Sequence, residues 1–148
     1  MYFSGYGEGW ALYAEQLADE MGLYSGIESR IGALVTSLLR AVRLVVDTGL
    51  HALGWSRQRA LEFCIAHVPM PEEFLANEVD RYIVYPAQAV TYLIGKRELL
   101  RLRAEAERRL GSRFVLPEYH AAVLDSGSLP MPVLHDKLRR WSAAQGTM

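Results

Sequence analysis

The stretch IGALVTSLLRAVRLVVDTGLHALGW, Ile31 to Trp55, decides what kind of fold this chain can have. Its apolar residues Ile31, Leu34, Val35, Leu38, Leu39, Val42, Val45, Val46 and Leu50 recur at the three- and four-residue steps of an α-helix with a wide apolar face. A run this long also raises the question of a membrane span. Arg40, Arg43 and Asp47 stand in its middle, and each costs about 2.5–3.5 kcal/mol at a bilayer centre, which excludes a span and predicts a long core helix. Gly54 is placed to end that helix, and Ser56 to cap the next one, SRQRALEFCIAHV, which stops before Pro69.

The same signals organise the rest of the chain. MPEEFLANEVDRYIVYP starts a helix at Pro71 with Glu72 and Glu73 in its first turn, and Pro86 interrupts the path. AQAVTYLIGKRELLRLRAEAERRL then runs as a helix to Gly111, Pro117 opens the short PEYHAAVLDSG, and PMPVLHDKLRRWSAA follows. No segment alternates with period two, so the expected fold is all-α, an irregular bundle of about six helices in a single domain over residues 1–148. With 51% hydrophobic and 22% charged residues the chain has the composition of a globular protein, and its net charge of −1 gives no footprint for nucleic acid. The basic residues of KRELLRLRAEAERR alternate with Glu98, Glu105 and Glu107, which predicts a solvated helix face. Cys64 stands alone, so an internal disulfide and a CxxC metal site are both excluded. These residues show no signal peptide, and the sequence leaves the native compartment open, cytoplasmic only if the chain is expressed as given.

Three groups of residues could carry chemistry. In EGWALYAE, Glu8 and Glu15 are seven residues apart, close to two helical turns, so their carboxylates share one face. They are either a solvated edge near a helix start or a functional pair. His51 follows Asp47 by four residues, a spacing at which the carboxylate can fix the imidazole; equally, His51 can be a helix-end histidine favoured by the dipole, and Arg43, four residues before Asp47, competes for the carboxylate. RYIVYPAQAVTY carries Arg81, Tyr82, Tyr85, Gln88 and Tyr92, which can stabilise an oxyanion in a dry cleft or serve as core tyrosines. Gln88 and Tyr92 are expected to be i, i+4 neighbours on one helix, and His67, His120 and His135 to be structural.

Four blocks, EGWALYAE, RLVVDTGLHALGWSRQRA, EVDRYIVYPAQAVTYLIGK and EYHAAVLDSGSLPMPVLHDKL, occur in the order in which they resemble the C-terminal part of the bacterial family named domain of unknown function 885. The resemblance runs from about Tyr6 to Trp141 and implies a zinc metallopeptidase-like helical protein of the gluzincin type. In such proteins a helix with HExxH gives two histidine ligands and a glutamate general base, and a later helix gives a third, glutamate ligand. The pattern around Glu8 is similar to that later helix, which makes Glu8 the implied metal ligand and Glu15 a supporting carboxylate.

No HExxH occurs in these 148 residues. The resemblance places that motif upstream, so the chain is expected to be a C-terminal fragment that holds no zinc by itself and is inactive alone. The intact relative would hydrolyse peptides, with His51, Tyr82, Tyr92 and Arg81 at the oxyanion and Asp47 and Gln88 behind them. The implied partners are a peptide substrate in the intact protein, and a missing N-terminal half or a second copy for this chain. The other reading is a non-catalytic helical assembly module joined through an exposed apolar patch. Ala87 stands where relatives carry glycine in a PGQA-like turn.

Overall fold

A computed structural model describes residues Met1–Gly146, which form seven α-helices and, among the described residues, no strand. They are α1 (Ser4–Glu20), α2 (Ile27–Ala52), α3 (Arg57–His67), α4 (Glu72–Val84), α5 (Thr91–Leu110), α6 (Leu116–Leu124) and α7 (Met131–Gly146). The count is seven where about six were expected; Gly111 at φ +55° opens a 3-10 turn between α5 and α6, and Gly127 at φ +67° follows α6 before α7 begins. No described helix is long and apolar enough to cross a membrane. The residues group into two compact units, one of Met1–Tyr13 with the chain from Ile94 onward, the other of Ala14–Leu93.

In the first unit, α1 and α5 meet through glycines. A methyl group on Gly95 would collide with the carbonyl oxygen of Gly5 and lie 2.7 Å from the Cα of Gly9, and one on Gly9 would lie 2.5 Å from the carbonyl carbon of Gly95. The two backbones therefore touch with no side chain between them. Tyr6, Tyr13, Leu99, Tyr119, Leu134 and Leu138 belong to the buried cluster of this unit. The buried tyrosines satisfy their hydroxyls on backbone: Tyr6 donates to the Val123 carbonyl at 2.9 Å and Tyr119 to the Leu99 carbonyl at 2.8 Å.

The second unit is built on α2, α3 and α4. Leu39, Val42 and Val46 of α2 join Leu61, Leu75 and Val79 in one buried cluster. The expected core stripe of α2 is only half right, since Ile31, Leu34, Leu38 and Val45 are exposed. The helix carries two apolar faces, and this chain covers one. Its end is as expected: Leu53 is the C-cap, Gly54 takes φ +66°, and the Trp55 amide bonds back to the Gly49 carbonyl at 2.9 Å. Ser56 then caps α3 by accepting from the Arg59 amide at 3.2 Å.

α5 begins at Thr91, four residues later than the sequence suggests, because residues 86–90 form a turn in which Ala87 adopts φ +67°. The Ala87 amide donates to both carboxylate oxygens of Asp47, at 3.1 and 3.2 Å. A charge 40 positions away in the chain thus holds a good helix former outside the helix.

Gly95→Ala should lower stability by about 3 kcal/mol or more, because backbone must move to admit the methyl group, whereas Gly32→Ala on α2, where a methyl group meets nothing within 4 Å, should be neutral or gain up to about 1 kcal/mol. Urea midpoints of the two variants would show the opposite signs. Ala87→Gly should raise the midpoint by an amount equivalent to about 0.5–1 kcal/mol, since glycine takes a positive φ without the Cβ clash.

Candidate functional site

An arginine inside an apolar helix must find an anion. Arg43, with a side chain 9% exposed, finds Glu78 of α4, donating from Nη2 to Oε2 at 2.6 Å. Glu78 is where the cluster converges. Its Oε2 also accepts from the Tyr82 hydroxyl at 2.8 Å and from Arg81 Nη2 at 2.9 Å, and its Oε1 accepts from Arg81 Nε at 3.0 Å. Tyr82 closes the ring by accepting from Arg43 Nε at 3.1 Å. The spacing Glu78, Arg81, Tyr82 is i, i+3, i+4, so one face of α4 presents all three. Arg43 also lies 4.9 Å from the ring centroid of Tyr92.

Burial works against the Glu78 charge, but the hydrogen bonds from Arg81 and Tyr82 and the charge of Arg43 outweigh it and hold the carboxyl at about 2. Burial pushes the Tyr82 phenol well above its usual range, so it stays a protonated donor. Arg81 sits at the accessible edge of the cluster, its side chain 34% exposed. Its Nη1 donates to Gln88 Oε1 at 2.6 Å, and with two bonds to Glu78 this engages three of the five guanidinium N–H groups, leaving two directed to no described acceptor.

The remaining sequence candidates take definite places. His51 lies at the end of α2, exposed, and its Nε2 donates to the Tyr82 carbonyl at 3.0 Å, which leaves Nδ1 as the lone-pair nitrogen of the neutral ring. Of the readings left open for His51, the pairing with Asp47 is not the one found, since Asp47 accepts from the Ala87 amide. Gln88 lies in the turn before α5, so it and Tyr92 are not neighbours on one helix; the Gln88 carbonyl accepts from the Thr91 hydroxyl at 2.7 Å. Tyr85 is exposed. Arg81, Tyr82, Gln88, Tyr92, Asp47 and His51 all belong to the second unit, together with Glu15, whose carboxylate takes Arg40 at 3.4 Å and whose carbonyl accepts from Tyr24 at 3.0 Å. Glu8 is half-buried on α1 in the first unit.

Two of the other histidines have hydrogen-bond partners, while His135 Nε2 is buried without one among the described residues. His120 Nε2 is 2.8 Å from the Tyr13 hydroxyl, with Trp10 edge-on at 5.5 Å, and His67 Nδ1 donates to the Phe63 carbonyl at 2.8 Å. Two basic residues of α5 pair along their own helix, Arg101 with Glu98 and Glu105 and Arg103 with Glu107, while Arg109 donates to the Arg139 carbonyl and the Ser142 hydroxyl of α7. Burial pushes the Cys64 thiol up to about 11. Among the described residues no group of three histidine, cysteine, aspartate or glutamate side chains is placed to hold a metal ion, so a zinc site does not fit on these residues alone.

Glu78 is the site residue that sequence reasoning missed. Two signals point to it: the i, i+3, i+4 run of Glu78, Arg81 and Tyr82, and the presence of Arg43 in an apolar stretch, which requires a buried counter-charge.

Comparison with known proteins agrees with the family resemblance. Residues 1–138 match the family described as "Bacterial protein of unknown function (DUF885)". The chain is similar to a solved structure described as that of "the putative lipoprotein from Colwellia psychrerythraea", with 41% identity and a TM-score of 0.93 over 96% of this chain. The chain spans 24% of the length of that protein. No curated protein matches it.

The Glu78 carboxyl titrates below its usual 4.5, so its stabilising contribution is complete above that pH and is lost as pH falls from 4.5 towards about 2. At about 1.4 kcal/mol per pH unit the contribution is at most about 3 kcal/mol. Glu78→Gln should lower the unfolding free energy at pH 7 by a similar amount, about 3 kcal/mol, and flatten its dependence on pH between 4.5 and 2. Urea titrations of both proteins across that window would read it.

Proposed function

The chain belongs to the bacterial family of unknown function DUF885, and from that premise we propose that it is the C-terminal helical portion of a zinc-metallopeptidase-like protein. On this reading it contributes one zinc-binding carboxylate, Glu8, and a substrate-side cluster of Arg81, Tyr82, Tyr92 and His51, and is inactive by itself. The observation that supports it best is the guanidinium of Arg81, oriented by Glu78 and Gln88 and left with two N–H groups at an accessible edge. Peptide substrates offer carbonyl oxygens and carboxylates, and an oriented guanidinium suits both. Tyr82 and Tyr92 act through Arg43 and Glu78 to position Arg81, and Asp47 holds the turn that carries Gln88.

Zinc would need ligands beyond Glu8, and no chemical step is assigned to it on this chain. Calorimetric titration separates the parts of the proposal. The chain alone should show no stoichiometric submicromolar zinc binding. The whole Colwellia protein should bind zinc, and replacing the glutamate aligned with Glu8 by glutamine should weaken binding at least about tenfold, while the same change at the position of Glu15 should not. Equal affinity in wild type and both variants would remove the ligand assignment, and tight binding by this chain alone would remove the reading that it is incomplete. The alternative, a non-catalytic assembly module that dimerises or pairs with a separate N-terminal half, is favoured by the exposed apolar face of α2.

A further inference from the structure

α2 carries more apolar surface than its own unit covers. About a quarter turn round the helix from Leu39, Val42 and Val46 lie Ile27, Ile31, Leu34, Leu38, Ala41 and Val45, all exposed, the five larger ones to between 41% and 69%. Their spacing is four, three, four, three, four, the alternation of a heptad seam. A stripe of this kind is shaped for another helix: over about 27 Å each side chain can enter a hole between four residues of a partner, and Ala41 lets the partner come close. Glu28 and Arg30 flank its first turn and Ser37 its middle, so the rim is polar while the stripe is wholly apolar.

We propose that this outer face of α2 is the seat of a helix from the part of the family fold that lies outside the region this chain spans, a helix bearing its own Leu, Ile or Val at alternating three- and four-residue steps. The proposal rests on reading the chain as one portion of a larger protein. Two observations favour this occupant over a second copy. The Colwellia protein shares this fold over 96% of the chain, yet the chain accounts for 24% of that protein, so three quarters of a homologous polypeptide is there to supply the cover. Six side chains, one an alanine, also fall short of the roughly 800 Å² per partner of a standard stable interface, so two copies joined by this stripe alone would associate weakly. Within one polypeptide the same contact forms at high effective concentration and needs no such area.

Leu34→Glu with Leu38→Glu tests the assignment in two proteins. In this chain the double substitution should leave the far-UV circular dichroism unchanged and move Tm by no more than about 2 °C, since both residues face solvent. In the whole Colwellia protein, glutamates at the aligned positions should lower Tm by more than about 10 °C or prevent soluble expression. If that variant cannot be purified, alanine at the position of Leu34 should still lower Tm by several degrees there and leave this chain unaffected. Equal tolerance in both proteins would overturn the proposal. So would a wild-type chain that light scattering shows to be a dimer and the double substitution converts to a monomer, because the occupant would then be a second copy. None of these readouts involves metal, so a failure of the zinc assignment leaves them standing.

Discussion

At Gly95 two helices meet backbone to backbone, and the first unit depends on that contact. Gly5 and Gly9, one turn apart on α1, form the shallow surface that receives Gly95 of α5, and a methyl group on Gly9 or on Gly95 would overlap the facing backbone. The crossing fixes where α1 lies along α5 and brings Tyr6 and Tyr13 into the cluster that also holds Leu99 and Tyr119. Glu8 immediately precedes Gly9, so its backbone is set by the tightest contact in the unit. The glycine in EGW therefore has a packing reason of its own, independent of any metal.

The second unit solves a different problem. Its core includes a guanidinium, and a buried charge is tolerated only where its partners are complete. Glu78 completes Arg43, shares itself with Arg81 and accepts from Tyr82, so three helical residues and one carboxylate determine one another's rotamers. Replacing the whole group by apolar residues of equal volume would cost little, and so its presence calls for a reason beyond stability. On the reading proposed above, that reason is the half-exposed Arg81, held in one orientation and incompletely bonded.

Much of the fold was legible because it is punctuated by residues whose backbone preferences are strong. Gly54, Ser56, Pro71 and Pro117 mark boundaries where the helices do end and begin. Two features were not legible, for physical reasons. Ala87 has high helix propensity, and a tertiary hydrogen bond to Asp47, invisible in the local sequence, works against it. Periodicity in α2 correctly gave a helix but counted two apolar faces as one, because steps of three and four residues suit a core stripe and a coiled-coil seam alike. At the site, Arg81, Tyr82 and Gln88 do gather as their sequence proximity suggests, whereas Glu78 stayed hidden because a lone glutamate on a helix ordinarily faces water. The ligand assignment proposed for Glu8 rests on family resemblance alone, since spacing by itself left a solvated edge and a functional pair both open.

The ionic knot around Glu78 also bears on how the second unit responds to heat. Hydration of charged groups carries a strongly negative entropy, so the desolvation penalty on Arg43, Glu78 and Arg81 shrinks as temperature rises, while the gain per unit of buried apolar area levels off. The polar centre of the unit is thus comparatively stronger when warm and weaker near freezing.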